Sequence, residues 1–391
     1  MSEPTLKPGV PEPEAGGILT IDLGALAQNW RTLRDRAGGA ECAAVVKADA
    51  YGLGIQAAVP ALSRAGCRTF FVAHLGEAAR VRAAAPGATI YVLNGLLPGT
   101  CPVYAEHDLR PVLGSREEVA EWLAFCRGAG RRLPAAVHVD TGMNRLGFRV
   151  EEALALARDP LLADLEPALV MSHLVSAEEP ENPINRRQIE AFARLRAAFP
   201  GVPASLANSS GIFLPEVPNP DLVRPGYALY GGNPTPGREN PMRPVVRLEA
   251  RIVQLRTVER GDTAGYNGQW TAPAPGRLAT LSVGYADGYP RAASATDAKQ
   301  EAGMAAGEAI VAGRRCPFAG RVSMDLITLD VSAVAEAEIA RGDLVTLIGD
   351  DLTIDEVGAR AGTIGYEILT SLGRRYARRY IGVERTANSR L

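Results

Sequence analysis

Short apolar runs rich in β-branched residues recur at 42–48, 69–74, 89–93, 110–114, 135–140, 168–173, 204–208 and 222–226. Each is predicted to form a strand. Between them lie GEAARVRAAA, SREEVAEWLAFCRGAG and NRRQIEAFARLRAAF, whose apolar positions fall at helical three- and four-residue steps. LTIDLGALAQNWRTLRDRA, ahead of the first run, places Leu23, Leu26, Trp30 and Leu33 on one helix face. Eight strands alternating with helices are the number that closes a parallel (β/α)8 barrel. A doubly wound open sheet is the alternative. It usually carries a glycine-rich phosphate loop after its first strand, and neither G-x-G-x-x-G nor a Walker sequence occurs there.

From about residue 240 the pattern changes to VVRLEARIVQLRTV, RLATLSVGYADGY, EAIVAGRR, DLITLDVS and DLVTLIGDD. These are alternating or apolar strands joined by Gly, Pro and Asp turns, with helices expected only at TIDEVGARA and EILTSLGRRYARR. The reading is therefore α/β: an N-terminal barrel over 18–238 and a β-rich domain over 239–391, connected through GGNPTPGRENP. The helix over 21–36 is assigned to the barrel, with packing on the second domain as the other option. SATDAKQEAGMAAGEA (294–309) reads as a surface loop. Residues 1–17, rich in Pro, Glu and Gly, are expected to form a loose tail without the basic start and apolar run of a signal peptide.

Length agrees with two domains, because 391 residues exceed the roughly 250–300 that one core usually serves. Lys plus Arg number 42 and Asp plus Glu 44, so no net positive charge draws in nucleic acid or an anionic membrane. No stretch reaches the roughly 18 apolar residues of a membrane span. Cys42, Cys67, Cys101, Cys126 and Cys316 are scattered and odd in number, without a C-x-x-C pair. Buried free thiols in a reducing cytosol are expected. His74, His107, His138 and His173 lack metal-ligand spacing, and no metal is expected.

In a parallel barrel the reactive groups gather where strands end. Lys47 ends the first run. A lysine there either snorkels its ammonium to water or, desolvated, becomes the nucleophile that an imine requires. The seventh and eighth runs end in Asn208-Ser209-Ser210-Gly211 and Arg224-Pro225-Gly226. These are plain turns or, together, a phosphate cradle of backbone N–H groups and the Ser209 hydroxyl. A lysine and a phosphate cradle at the same end of one barrel point to pyridoxal 5'-phosphate. Arg145 follows the fifth strand and His173 ends the sixth; each has an ordinary structural explanation, a surface arginine and a hydrogen-bonded core histidine.

VVKADAYGLG (45–54) resembles the lysine motif of the alanine racemases. The motifs VDTGMNRLG, SHLVSAEEPENP, LANSSG, VRPGYALYG, AGYNGQW, VGYADGYPR, GRVSMD and TIGYEI follow in the family's order, from about residue 18 to 385. The resemblance implies a pyridoxal-phosphate racemase of fold-type III that interconverts L- and D-alanine, supplying D-alanine for cell-wall peptidoglycan. It implies a cytoplasmic homodimer with shared active sites. Lys47 would hold the cofactor and serve as one acid/base, and Tyr266 as the opposite one. Tyr51, Ser209, Gly226, Tyr227 and Tyr366 would hold the phosphate, and Arg224 would face the pyridine nitrogen. His173 would link Tyr266 to Arg224. Arg145 and the Met324 backbone would take the substrate carboxylate. Tyr266, Met324 and Tyr366 would come from the second subunit.

One position departs from the family's pattern. His138 stands where many members carry a carbamylated lysine that orients the substrate arginine, so a chloride or an ordered water is expected near Arg145 and His138. A racemase of broader specificity, for instance toward serine, is the nearest alternative function. A fold-type III decarboxylase and a pyridoxal-phosphate carrier without turnover are further ones. The pairing of AGYNGQW with VGYADGYPR opposes the decarboxylase, and a carrier would need no second base.

Overall fold

The computed structural model describes residues 10–215 and 221–382. The chain divides into two compact units, one of residues 26–243 and the other of residues 10–25 with 244–382.

The first unit is the parallel barrel. Its first strand is split into Glu41–Cys42 and Ala44–Val45. The others are Thr69–Val72, Thr89–Val92, Arg110–Leu113, Ala135–Asp140, Pro167–Met171, Ala204–Ser205 and Leu222–Val223. Every ladder among them is parallel. The ring closes because the amides of Glu41, Ala43 and Val45 donate to the carbonyls of Asp221, Val223 and Pro225. The seventh and eighth strands meet through Arg224 N–H donating to the Ala207 carbonyl at 2.9 Å. Both faces of most strands are buried, as the runs of Val, Ile, Phe and Leu anticipate.

The expected helices are Leu75–Ala84, Arg116–Gly128 and Pro183–Ala198. Ser115 caps the second by accepting from Glu118 N–H, and Asn182 caps the third with Pro183 in its first turn. In the helix Leu23–Arg36, the predicted face of Leu23, Leu26, Trp30 and Leu33 is buried.

The second unit is a mostly antiparallel β structure around the long strand Val246–Val258. One half of that strand pairs with Gly17–Asp22 and Leu344–Ile348. The other half pairs with Gly276–Leu281, past an irregularity at Ile252–Gln254.

Four local expectations are corrected. The segment 18–22, assigned to the barrel, is a strand of the second unit. Gly17–Asp22 lies between Val246–Val258 and Ala377–Ile381 and is almost wholly buried there. A strand covered on both faces carries no alternation that would tell it from the start of the following helix. The loose tail is overturned over 10–17: Glu12–Glu14 form a helical turn, and Ala15 is buried with Ile18 and Ala377. Residues 1–9 lie outside the described residues. The expected helix over EILTSLGRRYARR stops at Ser371, and Ala377–Ile381 is a strand that completes the sheet beside Gly17–Asp22. The surface loop at 294–309 contains a short helix, Asp297–Glu301, capped by Thr296.

Among the described residues, no helix is long and apolar enough to cross a membrane. The five cysteines are free and buried.

Candidate active site

The barrel gathers Lys47, Tyr51, Arg145, His173, Ser209, Arg224, Gly226 and Tyr227 at the C-terminal ends of its first, fifth, sixth, seventh and eighth strands. Lys47 begins a turn of unusual backbone. Ala48, Asp49, Ala50 and Tyr51 all have φ between 53° and 56°. Left-handed helix costs L residues about 1–2 kcal/mol each, so four in a row call for specific support. The turn makes its own bonds, Ala50 N–H to the Val46 carbonyl at 2.9 Å and Gly52 N–H to the Ala48 carbonyl at 2.7 Å. Burial and the nearby Arg145 guanidinium lower the proton affinity of the Lys47 amine, and the Glu77 carboxylate opposes them.

Arg224 is buried. Its guanidinium donates to Ser205 Oγ and to the Ser172 carbonyl, both at 2.5 Å, and lies 3.4 Å from His173 Nδ1. Among the described residues no carboxylate pairs with it, and burial lowers its pKa to about 10, still charged at neutrality. Burial, Arg224 and other cations hold His173 down at about 3. His138, on the fifth strand, is lowered to about 4, by burial first and then by Arg224. Both histidines are therefore neutral imidazoles near pH 7. Arg145 is exposed, on the loop 141–147 that the Asp140 carboxylate fixes by accepting from Gly142 and Met143 N–H at 2.8 Å.

The cradle is built on Ser209. Its hydroxyl oxygen accepts from Gly226 N–H at 3.0 Å and Ala228 N–H at 3.2 Å, joining the seventh and eighth loops. A Cβ on Gly226 would stand 2.4 Å from Tyr51 Oη, so only glycine lets this backbone approach the phenol. Tyr51 stacks on Tyr230 with ring centroids 4.5 Å apart, and Tyr230 donates to the Val45 carbonyl. Lys47, Arg145 and Arg224, none of them ion-paired among the described residues, stand with small-residue loops and a hydroxyl. This donor set suits a phosphate dianion and a carboxylate, and so fits pyridoxal phosphate and an amino acid.

Sequence reasoning missed the polar groups that stitch neighbouring loops. Glu77 accepts from Ala73 N–H at 2.9 Å and His74 N–H at 3.2 Å after the second strand, and from Asp49 N–H at 3.3 Å after the first. Glu118 accepts from Leu96 and Gly114 N–H, joining the third and fourth loops. Gln188 donates to Thr141 Oγ1 and to the His173 carbonyl, joining the fifth and sixth. With Ser209, these divide the mouth into four stitched pairs. The available signal was an acidic residue in the first turn of Leu75–Ala84 and of Arg116–Gly128, which reads equally as a helix cap, and Gln188 offered no such signal.

In the second unit, Tyr266 opens the helical turn Tyr266–Gly268, Met324 lies on a loop, and Tyr366 stands in the first turn of the helix Gly365–Ser371, with close-packed glycines around them. Gly265 (φ 76°) precedes Tyr266, and a Cβ there would be 3.0 Å from the Arg321 amide. A Cβ on Gly284 would meet the Met324 carbonyl at 2.3 Å, and one on Gly288 the Ser371 carbonyl at 1.8 Å. The four motifs AGYNGQW, VGYADGYPR, GRVSMD and TIGYEI therefore share one region. Asp287 and Asp325 are bridged there by Arg375, at 3.1 and 2.9 Å. Tyr266 is 68% exposed and Met324 53% exposed, with Ile364 and Leu326 also open.

A family model described as alanine racemase, N-terminal domain, matches residues 21–234, and one for the C-terminal domain matches residues 245–380. An alanine racemase of Methylobacterium nodulans is 64% identical over 366 residues, covering 94% of this chain and 96% of its own. One of another Methylobacterium is 63% identical over 366 residues, covering 94% and 98%. Among solved structures, alanine racemase from Bartonella henselae with covalently bound pyridoxal phosphate superposes with a TM-score of 0.87 at 39% identity. It covers 94% of this chain and all of that one.

Proposed function

Since this chain belongs to the alanine racemase family, we propose that its barrel mouth interconverts L- and D-alanine with pyridoxal phosphate. The observation that carries the reading is the grouping of Lys47, Arg145 and Arg224, without ion-paired carboxylates among the described residues, beside the Ser209–Gly226 cradle. Pyridoxal phosphate, when bound, supplies an electron sink for the charge left at Cα when its proton departs.

This chain's residues do the rest. Ser209, Tyr51 and the N–H groups of Gly226 and Tyr227 hold the phosphate, with Tyr366. Lys47 holds the cofactor and moves the Cα proton on one face. Racemisation returns a proton to the opposite face, and Tyr266 is the group assigned there. The ordinary pKa values of the two, about 10.4 and 10, must fall for exchange near neutrality; the lowered proton affinity of Lys47 is in the required sense. Arg224 remains charged, so it donates to the ring nitrogen without giving up its proton, a restraint on side reactions. His173 carries the polar chain between Arg224 and Tyr266.

Arg145 and the Met324 backbone take the substrate carboxylate. His138 is a neutral imidazole and cannot form a carbamate, so a chloride or an ordered water is expected near it and Arg145. The exposed Tyr266, Met324, Leu326 and Ile364 suit a surface that a second subunit covers. The active form is a cytoplasmic homodimer in which Tyr266, Met324 and Tyr366 reach the partner's barrel, and its D-alanine serves peptidoglycan synthesis.

Borohydride treatment of the purified protein, followed by peptide mapping, is expected to fix the cofactor on Lys47. A coupled assay should favour D-alanine over D-serine. Mixing Lys47→Ala with Tyr266→Ala chains should restore part of the activity by giving hybrids one intact site. An adduct on another lysine, or no recovery in proven hybrids, would overturn the assignment of Lys47 or of the shared site.

A further inference from the structure

We propose that Glu77 is a positioning residue for Lys47: its carboxylate clips the left-handed turn Ala48–Tyr51 to the second loop and so fixes where the lysine stands. This rests on the reading of Lys47 as the lysine that holds the cofactor.

Three observations converge. The turn consists of four consecutive L residues at φ 53–56°, a conformation that glycine adopts freely and alanine resists. Asp49 carries bonds from outside the turn. The Asp49 amide donates to Glu77 Oε1 at 3.3 Å, while Glu77 Oε2 accepts from Ala73 and His74 N–H. The Asp49 carboxylate accepts from Ile55 N–H at 2.9 Å and pairs with Arg80, which also donates to Gln56 at 2.7 Å. Asp49 is thus held from the second loop by its backbone and from both neighbouring helices by its side chain. Removing Glu77 unties three amides, and the Asp49 backbone then loses its bond to the second loop while the Asp49 side chain keeps its own.

The other stitched loops do not share this arrangement. Glu118 joins loops where glycine takes the left-handed position, Gly95 (φ 78°). On the Gln188 pair, isolated residues such as Asn144 are left-handed, not a continuous turn. Of the four stitching residues, Glu77 is the one that ties down a left-handed run, and that run begins at Ala48, next to Lys47. The carboxylate also opposes the neighbouring cations at the amine, a secondary contribution in the same place.

The test uses the full-length chain stripped of cofactor, with pyridoxal phosphate as the probe. Glu77→Ala should weaken retention roughly tenfold or more, the scale of one or two lost backbone hydrogen bonds, and slow formation of the borohydride-fixed adduct on Lys47. Glu77→Gln keeps one acceptor and should fall between. Ala48 is exposed, and Ala48→Gly adopts the turn without penalty. Placed in Glu77→Ala or Glu77→Gln, it should recover most of the affinity and adduct rate, while changing the parent by less than about twofold. If Glu77→Ala does not fold, the Glu77→Gln pair carries the comparison. Wild-type retention and adduct rate in the Glu77 variants would overturn the proposal. So would failure of Ala48→Gly to rescue, because the carboxylate would then be doing something other than supporting the turn. An adduct absent from Lys47 in the parent chain would instead refute the lysine assignment itself.

Discussion

Replacing Gly226 by alanine tests the phosphate cradle most directly. The backbone at Gly226 has φ −127°, outside the left-handed range that calls for glycine. The perturbation is therefore one of space. The new methyl would stand 2.4 Å from Tyr51 Oη, 3.2 Å from Tyr51 Cζ and 3.4 Å from Val45 Cβ. Tyr51 cannot retreat freely, since its ring stacks on Tyr230 at 4.5 Å. Overpacking of this kind costs about 1–3 kcal/mol. Borne by the cradle, that is a roughly five- to 150-fold loss of pyridoxal phosphate affinity. Tyr51→Phe alone should cost about 1 kcal/mol through a lost hydrogen bond. In the double variant the worst contact disappears with the hydroxyl and only the 3.2 Å approach to Cζ remains. The two effects should then sum to at least about 1 kcal/mol less than their separate values, as expected for side chains in direct contact. Fluorescence titration of the cofactor-free protein supplies the four affinities, and thermal unfolding checks that each variant is folded. Additive losses, or unchanged affinity in Gly226→Ala, would refute the account of why this backbone carries no side chain.

Two further outcomes follow from the charges. His138 and His173 are held at about 4 and 3, so the fold resists protonating them. The unfolded chain takes up protons near pH 6.5, and stability present above that value is lost as the pH falls. At about 1.4 kcal/mol per pH unit, His138 accounts for up to about 3 kcal/mol between pH 6.5 and 4. Chemical denaturation of His138→Asn should show a flatter slope over that window, and an unchanged slope would count against the depressed value. In the second unit, the side chain of Asp287 is 6% exposed and faces the more open Arg375. Burial raises its pKa, with Arg375 and the Gly284 amide opposing. Arg375→Ala should destabilise by about 1–3 kcal/mol at neutral pH by leaving that carboxylate without its cation. The loss should shrink in acid, where Asp287 is protonated and needs no partner. Equal destabilisation at both pH values in denaturant titrations would contradict this.

The chain's own pattern settled a good deal. The eight apolar runs are barrel strands because a strand covered on both faces must be apolar at nearly every position. The ends of those runs hold Lys47, His173, Ser209 and Arg224, because a parallel barrel collects its strand ends on one face. What the sequence left open are partners distant along the chain. Gly17–Asp22 became part of the second unit because Val246–Val258 and Ala377–Ile381 offered matching edges, and no local periodicity names an edge. RRYARR reads as a continuing helix, yet Ala377–Ile381 gains more from the sheet than from its own propensity. The left-handed course of Ala48–Tyr51 is legible in none of those residues, whose own preference is for the opposite hand. Only the assembled barrel, bringing Glu77 and Arg80 against Asp49, supplies bonds that hold such a turn beside Lys47.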